Sequence, residues 1–168
     1  MNTLHTRRVA HRPHLCAILA SAVLSVTALY AAEAVQYPDG FRRWVHVGTG
    51  VVVPGSSSQL QSEEGMHHIF ANPKAVAGYA SGVFADGSII VYELQEFSQR
   101  NGAIVEGARK RVDVMVKDAR GHGDTGGWRF ERFWSDDRTQ NALSDSGVAC
   151  FQCHSNAKAH GFVFSQLH

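Results

Sequence analysis

Apolar and polar positions divide the chain into two regimes. Leu15–Ala32 (LCAILASAVLSVTALYAA) carries no charge, and after Tyr37 the apolar residues come in short runs separated by turn residues. In the second regime a period of two dominates. Val112, Val114 and Val116 fall on one face of Lys110–Asp118, and Trp128, Phe130 and Trp134 on one face of Trp128–Trp134; such alternation predicts half-buried strands. Met66–Ala71 and Ser88–Phe97, the latter rich in Ile, Val, Tyr and Phe, are also predicted strands. Phe41–Gly48 packs one short helix or strand on the core.

Turn chemistry sets the boundaries. Tyr37-Pro38-Asp39-Gly40 and Asp86-Gly87 are turns, Asn101-Gly102 signals a hairpin, and residues 55–65 and 121–127 are polar or glycine-rich loops. Asn72 before Pro73 predicts a helix cap with proline at the first position, opening a short helix over Lys74–Ser81. A second helix is expected from about Asp145 through residue 154. Together these elements predict an α+β fold, mainly antiparallel β-sheet with a few short helices, without an internal repeat.

Composition narrows the class. The 168 residues are 44% hydrophobic and 18% charged, which suits one folded domain. Sixteen bases against fifteen acids leave a net charge of +1, so nothing points to nucleic acid or to a polybasic membrane patch. Three cysteines are too few for a disulfide scaffold.

The first regime reads as an address. Arg7, Arg8 and Arg12 precede the uncharged run, and Ala32-Glu33-Ala34 supplies the small residues that a signal peptidase reads. The expected organisation is therefore a signal peptide over residues 1–34 and a domain over 35–168, exported to the periplasm. The alternative is an uncleaved anchor, for which eighteen moderately apolar residues lie at the lower limit. Cleavage removes three bases and Glu33, moving the charge to −1.

One motif names a chemistry. Cys150-Phe151-Gln152-Cys153-His154 reads C-x-x-C-H, the attachment pattern of a c-type haem. Two thiols a fixed short distance apart match the two vinyl groups of the porphyrin, and the adjoining imidazole reaches the iron. On a helix Cys150 and His154 share a face. A redox dithiol or half a zinc site is the competing reading, but no βαβ pattern and no second cysteine pair accompany it. The sequence thus predicts one covalently attached haem c, held by Cys150 and Cys153 with His154 as axial ligand.

The ordered set Asn72-Pro73-Lys74-Ala75, Ala85-Asp86-Gly87-Ser88, Val114–Asp118, Thr125–Trp128, Cys150–His154 and Phe162-Val163-Phe164 resembles the cytochrome P460 family, which includes the β-sheet cytochromes c′. The likeness runs from about Tyr37 to Phe164. It implies an antiparallel β fold, a homodimer, a periplasmic haem with histidine as proximal ligand, and a small nitrogen ligand or substrate. Electrons would pass to a soluble partner. Some members of the family oxidise hydroxylamine and carry a lysine bonded to the haem. Others lack that bond and bind nitric oxide or carbon monoxide. The cross-linking lysine is expected just before the aspartate–glycine turn, where this chain has Ser81-Gly82-Val83-Phe84; Lys74 is the nearest candidate.

Other residues are weighed for the open side of a haem. Met115 is a candidate sixth ligand, with core packing the commoner role. Of His67 and His68 one must point inward. His46, His122, His160 and His168 are read as solvated. Glu93, placed opposite Val91, together with Glu96 and Glu106, are candidate proton acceptors. Phe84, Phe97, Phe130 and Phe133 are candidates for an apolar cap, and Arg109-Lys110-Arg111 reads as a solvated edge.

Overall fold

The computed structural model describes residues 34–58, 60–120 and 122–167. The predicted signal segment, residues 1–34 except Ala34, and His168 lie outside the described residues. Five strands form one antiparallel sheet in sequence order: β1 (Val45–Val52), β2 (Gly65–Ala71), β3 (Ile89–Arg100), β4 (Ala103–Lys117) and β5 (Trp128–Trp134). Among the described residues two helices accompany it, α1 (Pro73–Tyr79) and α2 (Val148–His154), the latter followed by a 3₁₀ segment over Ser155–His160. The α+β expectation holds, and the cysteine pair lies on the C-terminal helix. Among the described residues no helix is long and apolar enough to cross a membrane.

Local chemistry explains the joints. Asn72 Oδ1 accepts from the Ala75 amide at 2.9 Å and from the Ile89 amide at 3.1 Å, so one side chain caps α1 and ties it to β3. Asn101 (φ 51°) and Gly102 (φ 81°) both turn left-handed, as the tight β3–β4 hairpin requires. Phe41–Gly48, left open between helix and strand, contains both: a 3₁₀ turn at Phe41–Arg43, then the start of β1. α2 begins three residues later than expected because Asp145 is spent capping it, accepting from the Gly147 and Ala149 amides.

The sheet has apolar residues on both faces. One face carries Val91, Val112, Val114, Phe70 and Phe133, covered by Val35, Tyr37 and Phe41. The other carries Ala71, Ile90, Met115, Trp128 and Phe130, covered by Ala75 of α1, Phe84 and Val163, with Cys150 and Phe151 of α2 packed against it. The alternation of Val112, Val114 and Val116 is therefore real and marks the first face. Trp128 and Phe130 are buried as expected, whereas Trp134, at the strand's end, is 53% exposed under the Arg132 guanidinium.

Candidate haem-attachment site

Helix α2 sits against β5 through Gly147. A Cβ there would come within 2.7 Å of Phe130 Cβ, and the backbone is left-handed (φ 84°), so only glycine starts the helix this close to the sheet. From that start the helix presents Cys150, half-buried against the apolar cluster, and Cys153, exposed; both thiols are free. Burial pushes the Cys150 thiol up. The Asp113 carboxylate pushes it the same way and Arg132 opposes, so both charges lie within electrostatic reach of it.

His154 closes the motif. Its ring packs against Phe130 and Phe164, with centroids 5.1 and 5.2 Å away. Its Nδ1 lies 2.7 Å from the Phe162 carbonyl oxygen. A carbonyl only accepts, so Nδ1 carries the proton and Nε2 keeps its lone pair. Burial holds the imidazole below its ordinary pKa, which keeps it neutral. The acceptor is fixed in turn: Gly161 (φ 67°) and Phe162 (φ 69°) are both left-handed, and the buried Trp128 indole donates to the Gly161 carbonyl at 2.9 Å.

Beside the motif, one row of cross-strand neighbours spans the sheet: Gly48, Ile69, Tyr92, Asp113 and Arg132. Each is half-buried, and a Cβ on Gly48 would meet nothing within 4 Å. Asp113 accepts from Arg111 and, through both oxygens, from Arg132. Burial and the Glu63 carboxylate push the Tyr92 hydroxyl well up. His67, in the next row, stacks on Tyr92 (centroids 4.8 Å apart) and lies so close over Gly50 that a Cβ there would fall 2.5 Å from its Cε1. His67 Nδ1 is buried without a partner, and burial lowers its pKa.

Of the other candidates, Met115 is core, 6% exposed among Ile90, Trp128 and Phe130. Lys74 is exposed, its amine 3.2 Å from the Asp86 carbonyl oxygen. Two expectations are corrected. Glu93 lies on the same face as Val91, because residues two apart on a strand share a face; it is fully buried between Arg42 and Arg109, opposite the face that packs α2. Arg109-Lys110-Arg111 is no solvated edge: Arg111 is 3% exposed and pairs with Glu63 and Asp113, and Arg109 pairs with Glu93. Glu106 is exposed and paired with Arg42, and Glu96 is exposed. Phe84 and Phe130 pack on one face, Phe133 on the other, and Phe97 is half-buried. Sequence reading missed Asp113, Arg132 and the Phe162 carbonyl. Charges inside an alternating strand were the only signal for the first two.

The donor set fits a c-type haem. Two free thiols stand three residues apart on one helix, and the next residue is a neutral imidazole whose Nε2 lone pair is left over once Nδ1 has bonded to the chain. A model of the family described as Cytochrome P460 matches residues 38–165. The chain belongs to the cytochrome P460 family. A search of curated proteins gives no match. Membership makes this protein a cytochrome, and the cysteines on α2 are compatible with attachment of its haem.

Proposed function

We propose that this cytochrome P460 family member is an exported periplasmic protein with one haem c, which binds or redox-processes small nitrogen species such as nitric oxide and hydroxylamine. The observation that carries the reading is the His154 Nδ1 to Phe162 carbonyl hydrogen bond, which presets a single neutral imidazole as proximal ligand. Bound haem supplies an iron centre that takes a small ligand and exchanges electrons with it. The chain does the rest. Cys150 and Cys153 would hold the haem, each S–H adding across one vinyl group to give a thioether without an oxidant. His154 Nε2 would ligate the iron, and a haem with a single protein ligand would bind a small molecule. The row from Tyr92 to Arg132 gives the sheet face beside Cys150 a polar wall. On the same face the His67 imidazole, held neutral by burial and unpartnered at Nδ1, supports a role as proton acceptor. The uncharged run Leu15–Ala32 behind three arginines supports export. The family likeness supports a homodimer and a soluble electron-transfer partner.

A second reading, a gas-binding or electron-transfer cytochrome without turnover, has its own support. The segment before the Asp86 turn carries Val83 and no lysine, and the Lys74 amine is engaged by the Asp86 carbonyl. The visible spectrum of the haem-loaded, dithionite-reduced protein tests both. A strongly red-shifted Soret band means a lysine-modified porphyrin and favours hydroxylamine oxidation. An ordinary high-spin c-type spectrum favours gas binding. Absence of covalent haem overturns both.

A further inference from the structure

On the sheet face opposite α2, two imidazoles converge on one hydroxyl. His46 Nε2 and His68 Nδ1 each lie 2.8 Å from Thr49 Oγ1, and the two rings are 5.9 Å apart between centroids. His46 and Thr49 belong to β1 and His68 to β2, where Thr49 and His68 are register partners, so the backbone fixes all three positions. His46 and Thr49 are exposed, and His68 is half-buried.

We propose that His46, Thr49 and His68 form a surface site for one Cu(II) ion, separate from the haem-attachment site. Imidazole suits late first-row divalent ions, and copper heads the affinity order for such ligands. The second nitrogen of His68, Nε2, is buried and lies 3.2 Å from Glu106 Oε2, off the line of a hydrogen bond. A carboxylate beside Nε2 favours the proton there, which leaves the Nδ1 lone pair facing Thr49. The hydroxyl donates its one proton to one ring nitrogen; His46 Nε2 donates to the hydroxyl in one tautomer and offers a lone pair in the other, the form an ion selects. An ion placed between the rings takes a lone pair from each. Imidazole nitrogens bind such ions at about 2.0–2.1 Å; both ring nitrogens already lie 2.8 Å from one hydroxyl oxygen, and His46, exposed at the surface, turns toward the ion. Solvent completes the coordination. Glu106 stands beside His68 and shares its carboxylate with Arg42.

The test is titration of Cu(II) into the haem-loaded full chain, produced without a histidine tag and buffered with glycine as a weak competitor. Binding is followed by calorimetry and by the Cu(II) electron paramagnetic resonance signal. The expected result is one ion per chain with nitrogen couplings from two imidazoles, and an affinity at least about tenfold weaker in each of His46→Gln and His68→Gln. Both variants should keep the haem spectrum and the far-UV dichroism of the parent. Failure of the parent to take up Cu(II) against glycine, unchanged affinity in both variants, or loss in only one of them overturns the proposal.

Discussion

His154 and Phe162 are joined by a 2.7 Å hydrogen bond that runs from the ring to a main-chain carbonyl eight residues on. The bond fixes the tautomer of the imidazole, and it depends on a segment that is itself held from the sheet. Trp128, wholly buried on β5, donates its indole N–H to Gly161. Sheet, C-terminal segment and histidine thus form one frame.

Trp128→Phe tests that frame. The substitution keeps most of the buried ring but leaves the Gly161 carbonyl without its donor, at a cost of about 1–3 kcal/mol. Denaturant unfolding should show this loss. Because Gly161 precedes Phe162, the variant should also shift the reduction potential of the haem, which depends on hydrogen bonding to the axial histidine. A stability loss with the potential unchanged would mean that the segment holds His154 without Trp128.

Glu93 offers the opposite case, a buried charge remote from the motif. Its carboxylate is fully buried and bonded by Arg42 and Arg109, the first half exposed and the second 16% exposed. Glu93→Ala takes one partner from each of two guanidinium groups, but Arg42 keeps Glu106 and Arg109 keeps Asp136, so the loss should stay below the about 3–5 kcal/mol of a stranded buried charge. Since Glu93 lies on the face away from α2, covalent haem content and the visible spectrum should stay as in the parent. Equilibrium unfolding and the pyridine haemochrome assay check the two halves of this expectation.

The elements were legible wherever alternation or turn chemistry spoke. Val112, Val114 and Val116 announced a face, Asn72-Pro73 a helix start, and Asn101-Gly102 a hairpin, because each depends on local sterics and hydrogen bonds. The attachment helix was legible because two thiols and an imidazole at fixed spacing have few other uses. What stayed hidden was pairing at long range. Arg111 reads as a surface base until β4 meets Glu63, 48 residues earlier in the chain. Glu93 reads as a solvent-facing glutamate until Arg42 and Arg109 close over it. No local pattern shows that a backbone carbonyl, that of Phe162, completes the site.

His67 should make stability depend on pH. Burial lowers its pKa from 6.5, with the nearby Glu63 opposing and His68 adding to the effect. The unfolded chain therefore binds a proton at a pH where the folded chain does not. Stability from this group is fully present above about pH 6.5 and falls as the pH drops from there towards the lower folded value. His67→Gln removes the titration. Its unfolding free energy should fall less steeply than the parent's between about pH 7 and pH 5, measured by urea unfolding at each pH. Equal slopes would exclude His67 as the source.

Lys74 decides whether the candidate named in the sequence modifies the haem. Its side chain leaves the first turn of α1 on the exposed side, while Ala75 beside it faces the core. The amine lies 3.2 Å from the Asp86 carbonyl, and it crowds Gly87, where a Cβ would come within 2.9 Å of Nζ. A lysine bonded in this way braces the turn that leads into β3, and a cross-link to porphyrin would require it to abandon that contact. An exposed hydrogen bond of this kind contributes about 0.5–1.5 kcal/mol. Lys74→Ala should therefore lose no more than that in unfolding and should leave the Soret position and the covalent mass of the haem-bearing peptide as in the parent. A spectrum that moves to that of an ordinary c-type haem on Lys74→Ala, with a corresponding change in the peptide's fragmentation, would instead identify Lys74 as the residue joined to the ring.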